Sequence, residues 1–271
     1  MIHTPHTPQP PLREQPGEFS ASLHRPRPLN PETWLLPAVA LLLIGLFVAH
    51  AFDLSQVAEL DKRFVEGRDW HRLTRLMGYI GTWSVIALAL LLINITRRND
   101  PERFSAQPAA GRASTPLSIP FFLIGCAGLA GLVAEGVKLL VRRGRPDALI
   151  NANASLPLNE ASTYAYTWHW SAPIPKPGEQ AAPFLKWFFD TSDLGLASSH
   201  AAVAFAGAWA LALVFRRSPL VAVLSLFLAY QTALGRLHVR DHYISDVVAG
   251  ALIGTLITAV IWALWKRSTR N

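Results

Sequence analysis

The sequence holds a single cysteine, Cys126, so no intrachain disulfide can staple it. One thiol also leaves the redox compartment unmarked. Charge is scarce as well: Asp, Glu, Lys and Arg make up 16% of the 271 residues, against roughly 25% in an ordinary soluble domain. With 51% hydrophobic residues, that scarcity excludes disorder for the bulk of the chain, because disorder needs low hydrophobicity and high charge. The formal net charge of +7 admits nucleic acid, a membrane surface or an anionic substrate as partner. The placement of the apolar residues decides among them.

Those residues fall in six runs: Trp34 to Phe52, Leu76 to Ile95, Leu117 to Val141, Leu194 to Phe215, Pro219 to Gly235, and Val247 to Trp265. About 18 apolar residues suffice to cross the roughly 30 Å hydrocarbon core as a helix. As buried helices of a soluble protein, six such runs would lack a polar face to solvate them. The reading is therefore an all-α polytopic membrane protein with six transmembrane helices over 33–266. A proline-rich, polar N-terminal tail precedes them over 1–32, and a short C-terminal tail follows over 267–271. The first run starts too late for a cleavable signal peptide and reads as a retained span. Nucleic acid drops out as a partner, since the basic residues form no separate domain.

Val57, Leu60, Phe64, Trp70 and Leu73 are spaced like one helix face, which predicts an interfacial helix between the first two spans. The longest connection, about 142–193, lies between spans three and four. It is rich in aromatics: Tyr164, Tyr166, Trp168, Trp170, Trp187, Phe188 and Phe189. We expect it to rest on the headgroup layer as a lid. His169 within it reads as an interface residue.

Polar residues inside or at the ends of membrane helices are costly and point to function. Lys138 closes span three, followed by Arg142, Arg143, Arg145 and Pro146. Ser198, Ser199 and His200 open span four. Arg236, His238 and Arg240 follow span five, and His242 and Asp246 open span six on one helix face. Spans alternate in direction, so the ends of three and five and the starts of four and six share one side of the membrane. Cations and helix N-termini gathered there make an anion site, and phosphate is the anion that best suits this much positive charge. A histidine held by a carboxylate suits a nucleophile or base.

Lys138 to Arg145-Pro146 matches K-x6-R-P. Ala197-Ser198-Ser199-His200 is similar to P-S-G-H. Gly235-Arg236 through His242 to Asp246 is similar to S-R-x5-H-x3-D. In this order the three blocks resemble the type 2 phosphatidic acid phosphatase superfamily, in its bacterial, membrane-bound lipid phosphatase branch. Ala197, Ser199 and Gly235 depart from the pattern at a proline, a glycine and a serine; every ionisable position is kept. The resemblance implies that His242 attacks phosphorus and that Asp246 holds its imidazole. His200 then protonates the leaving group and activates water. Lys138, Arg145, Arg236, Ser198 and the backbone at Ser199 hold the phosphate. It implies no metal and no cofactor.

Each residue alone has a plainer reading. Lys138 could snorkel, His200 or His242 could be a hydrogen-bonded core histidine, and Arg142 and Arg143 read equally as interface anchors or substrate contacts. Glu135 reads as a structural partner of Lys138, and His238 fits no motif position. Lys and Arg divide almost evenly between the two sides. The short connection with Arg216 and Arg217 and the tail with Lys266, Arg267 and Arg270 carry no acid, which puts both termini in the cytoplasm. The site then faces the periplasm or outside of an inner or plasma membrane. The expected substrate is a lipid phosphate taken from the bilayer: undecaprenyl diphosphate, phosphatidate, phosphatidylglycerol phosphate or a lipid A phosphate. Two rivals are a vanadate-binding oxidoreductase of the haloperoxidase branch and a non-catalytic lipid-phosphate binding or transport protein.

Overall fold

A computed structural model describes residues 30–59, 69–99, 118–146, 183–192 and 194–268. The N-terminal tail expected over 1–32 lies almost wholly outside these residues, and so do most of the 142–193 loop and its aromatics through Trp170.

The described chain is helical: α1 (Pro31–Glu59), α2 (Asp69–Leu76), α3 (Ile80–Asn99), α4 (Ser118–Val141), α5 (Phe184–Phe189), α6 (Ser199–Val214), α7 (Pro219–His238) and α8 (Ile244–Ser268). Among the described residues α1 (over Pro31–Asp53), α4, α7 and α8 are long and apolar enough to cross a membrane. The other two apolar runs differ from the six-span expectation. α2 and α3 meet at a 67° bend and count as a fifth crossing only if taken together. The bend follows from the turn Met77 to Tyr79, where Thr82 Oγ1 donates to Leu76 O at 2.6 Å and Trp83 Nε1 to Met77 O at 2.9 Å. α6 holds only 16 residues, about 24 Å at 1.5 Å per residue. Its run begins at Leu194, but Ser198 caps the helix and leaves the preceding residues irregular. The predicted interfacial helix is likewise divided: α1 continues to Glu59, 60–68 lie outside the described residues, and Trp70 and Leu73 are exposed on α2.

α6 is the buried centre. It packs on α4, α7 and α8, and its alanines, among them Ala201, Ala204, Ala208 and Ala212, are fully buried. Lipid drives helices together less than water does, so small residues that admit close backbone approach do much of the work. Thr258 Oγ1 on α8 donates across to Ala206 O at 3.1 Å. Large apolar side chains such as Leu41, Phe47, Leu88, Leu132, Phe227 and Val260 face outward, as lipid-facing positions do.

The helices share one polarity of arrangement. α1, α4 and α7 end where α3, α6 and α8 begin. At the opposite end Glu32 at the start of α1 accepts from Lys266 Nζ near the end of α8 at 2.7 Å. The described chain therefore starts and finishes together, away from the polar cluster.

Trp83 is fully buried against α6, and a Cβ at Gly207 would overlap its indole. The indole is pinned by its bond to Met77 O and cannot swing clear. Gly207→Ala should therefore cost about 1–3 kcal/mol by overpacking, read as a lower melting temperature in detergent. An unchanged melting temperature would show that this contact has slack.

Candidate active site

The exit of α4 is built by its last turn. Lys138 is buried, and its Nζ donates to Glu135 Oε1 at 2.8 Å and to Ser199 Oγ at 2.9 Å. The first bond is an i,i+3 pair on one helix face; the second ties α4 to the start of α6. The Arg142 N–H closes the helix on Lys138 O at 2.8 Å, with Arg142 in the left-handed region at φ 53°. That reversal sends Arg143 inward.

Arg143 is 0% exposed. Its Nη1 donates to Asp246 Oδ1 at 2.7 Å and to Ser245 Oγ at 2.6 Å, and its Nη2 donates to Asp53 Oδ2 at 2.8 Å. The guanidinium lies over the Tyr243 ring, 4.1 Å from its centroid, a cation–π arrangement. Arg145 faces the other way. Its Nε donates to Leu194 O at 3.2 Å, and its Nη1 lies 3.5 Å from Asp241 Oδ1.

The start of α6 is an N-cap. Ser198 is buried, its Oγ accepts from Ala201 N at 3.5 Å, and its own N–H donates to Asp246 O at 2.9 Å. The Ser198 hydroxyl oxygen serves the helix end, as N-cap serines do, a role that does not exclude the phosphate contact expected of its O–H. Ser199, where the motif has glycine, receives Lys138. His200 stacks edge-on against Tyr79 with ring centroids 4.8 Å apart. Its Nε2 is buried and without a hydrogen-bond partner among the described residues. At the end of α7, Arg236 pairs with Asp241 Oδ2 at 2.5 Å, and its Nε also has no partner.

His242 sits just before α8, buried. Its Nδ1 lies 2.9 Å from Gly195 O. A carbonyl can only accept, so Nδ1 carries the proton and Nε2 keeps its lone pair. Asp246 was expected to hold this imidazole directly. Its Oδ2 is instead 3.8 Å from Nδ1 and accepts from the Tyr243 N–H at 3.0 Å. The hydrogen bond that sets the tautomer belongs to Gly195, and Asp246 acts on the ring as a nearby charge. Gly195 has no room for a side chain, since its Cβ would fall 2.6 Å from Asp246 Oδ2. Burial holds the His242 imidazole below the ordinary histidine range, against the raising pull of Asp246 and with the lowering push of Arg236 and Arg145.

All eight residues singled out from the sequence thus meet at one end of the bundle: Lys138, Arg145, Ser198, Ser199, His200, Arg236, His242 and Asp246. Three others there, Asp241, Asp53 and His71, were not read from sequence, and Arg143, read as an interface anchor or a substrate contact, is neither. Asp241 bridges Arg145 and Arg236. Asp53 and Arg143 underlie Asp246. His71 on α2 packs on Gly235, where a Cβ would lie 2.7 Å from His71 Nδ1. Asp53 could have been noticed as a carboxylate closing an apolar run; His71 carries no local cue. Among the described residues no three His, Cys, Asp or Glu side chains are grouped to hold a metal ion.

A family model described as the PAP2 superfamily matches residues 120–270, more than half of the chain. No curated protein and no solved structure matches.

The contact at Gly235 makes a stability test. Gly235→Ser restores the serine of the motif and drives its side chain into His71. It should cost about 1–3 kcal/mol, and His71→Ala in the same chain should recover most of that loss. Strictly additive melting temperatures for the two changes would rule the contact out.

Proposed function

The chain belongs to the PAP2 superfamily, and from that membership we propose that it is a membrane phosphatase acting on a lipid phosphate or diphosphate through a phosphohistidine at His242. The observation that carries this reading is the hydrogen bond from His242 Nδ1 to Gly195 O, which leaves Nε2 as a free base beside the charges of Arg236 and Arg145.

The chemistry balances with the residues present. The Nε2 lone pair forms a bond to phosphorus as the bond to the leaving oxygen breaks. His200 Nε2, otherwise without a partner, gives that oxygen its proton. His200 next takes a proton from water, the hydroxide attacks phosphorus, and the N–P bond breaks to release phosphate and free His242. Lys138, Arg145 and Arg236 hold the phosphate oxygens and offset their charge in the transition state. Acid–base help of this kind contributes about 10²–10⁴-fold. Asp241 occupies the two arginines before substrate arrives and keeps them from repelling one another.

A lipid substrate is supported by the setting. The polar cluster lies at helix ends, where apolar surface meets headgroups, and the outer faces are lined with exposed leucine, valine and phenylalanine. Six crossings, with α2–α3 as the second and α6 as the fourth, fit the alternation of helix ends. The basic, acid-free segments at Arg216, Arg217, Lys266 and Arg267 favour a cytoplasmic opposite end, and so a site facing the periplasm or exterior.

The detergent-solubilised protein should release phosphate in EDTA from undecaprenyl diphosphate, phosphatidate or a lipid A phosphate, and His242→Ala should abolish release. No release from any of them, with the variant indistinguishable, would overturn the reading in favour of a binding or transport role. The acid limb of kcat/KM should fall below pH 6.5, because attack needs neutral His242 and burial favours the neutral form. A limb at or above pH 6.5 would contradict that assignment.

A further inference from the structure

We propose that Asp53, in the first helix and outside the matched region, is an electrostatic positioning residue: it neutralises Arg143 so that Asp246 keeps an uncompensated negative charge for His242. The proposal rests on the phosphatase reading and adds a residue that the motifs do not contain.

Asp53 is 2% exposed, at the site end of the apolar stretch Pro31–Asp53 of α1. Both its oxygens are used. Oδ1 accepts from the Ser245 N–H at 2.9 Å; Oδ2 accepts from Ser245 Oγ at 2.5 Å and from Arg143 Nη2 at 2.8 Å. His50 Nδ1 lies 3.2 Å from the same oxygen, on a side chain open to solvent. No substrate atom needs to reach Asp53, which stands behind Arg143, and Arg143 stands behind Asp246.

The charge count gives the arrangement its meaning. Arg143 is shared by two carboxylates, so the buried trio carries a net charge of about one negative unit. Without Asp53, Arg143 would cancel Asp246 and the trio would be neutral. His242 is neutral before reaction and its ring turns cationic when Nε2 bonds to phosphorus. A negative neighbour 3.8 Å from Nδ1 therefore favours the transition state over the ground state, which is the condition for raising kcat. The attraction matters because Asp53, Arg143, Asp246 and His242 are all buried, where screening is weak. Burying a cation and two carboxylates is hard to justify as stabilisation alone; a carboxylate inside a membrane protein points to function by default.

The groups that face His242 are Asp246 on α8, Gly195 before α6, His200 on α6, Arg236 on α7 and Arg145 after α4. A change at Asp53 alters the charge of that shell on its Asp246 side. In full-length detergent-solubilised protein, Asp53→Asn should lower kcat about tenfold with KM nearly unchanged. It should also move the acid limb of kcat/KM to lower pH. Asp53→Glu, which keeps the charge on a longer stem, should retain most of kcat per folded molecule even where its melting temperature falls. Folded Asp53→Asn with wild-type kcat and an unmoved acid limb would overturn the assignment, as would Asp53→Glu losing kcat as fully as Asp53→Asn. A wild type that releases no phosphate would overturn the phosphatase reading itself, and an active wild type keeps the two failures distinct.

Discussion

A guanidinium with no access to water needs acceptors and a counter-charge from the protein, and Arg143 imposes that need on the site end of the bundle. Its two carboxylates come from α1 and α8, its hydroxyl from Ser245, and its stacking ring from Tyr243. Removing one partner of such a cluster leaves a buried charge uncompensated, a loss of several kcal/mol. The end of α1, the exit of α4 and the start of α8 are thereby fixed to one another. Gly195 N donates to Arg143 O at 2.7 Å, so the segment leading into α6 is fixed as well. The carbonyl of that same Gly195 then receives His242. The orientation of the proposed nucleophile is a consequence of how one arginine is buried.

The second constraint is repulsion. Lys138, Arg145 and Arg236 converge with the N-termini of α6 and α8, whose dipoles are also positive. An empty site of this kind would be strongly destabilised by self-repulsion. Each cation has a local answer: Glu135 for Lys138, and Asp241 for both arginines. These acids sit at the edge of the site rather than beneath it, and Asp241 is 27% exposed. In the proposed function a phosphate takes over their partners. The buried carboxylates Asp53 and Asp246 cannot be displaced in this way, and in the proposed arrangement they shape the charge around His242 instead.

Much of this could be read from the sequence because it depends on local or periodic features. Six apolar runs gave six helical segments, and the spacing of Lys138, Arg145, His200, Arg236, His242 and Asp246 placed them at helix ends on one side. Other features depend on pairings far apart in the chain. Asp53 meets Ser245, 192 residues away, and no period or motif links them. Arg143 read, with Arg142, equally as an interface anchor or a substrate contact, because nothing local separates the two; only its inward turn after the left-handed Arg142 distinguishes it. Ser198 was assigned to phosphate through the motif it shares with His200; its capping of the orphan N–H groups of a new helix is a further role that the motif does not announce. That cap is also why α6 starts late and runs short of a full crossing.

The three departures from the motif take on a physical sense in this setting. Ala197 is fully buried in a turn whose course is already set by the Ser198 N–H on Asp246 O, so a proline is not needed to stiffen it. Ser199 turns its hydroxyl to Lys138 and thereby ties α4 to α6, a bond that glycine could not make. Gly235 gives up a side chain where α2 brings in His71, and Thr232 on the same face of α7 donates to Thr74 O at 2.6 Å to hold α2 there. The α2–α3 elbow then lays Tyr79 against His200, with Arg75 5.8 Å from the Tyr79 ring. A hydroxyl has been traded for a helix that walls the site beside its proposed general acid. In the proposed mechanism that acid serves the leaving group, which would put the side of the pocket walled by α2 against the rest of the substrate. On that proposal the departures would bear on which phosphate ester enters more than on how its phosphorus is attacked.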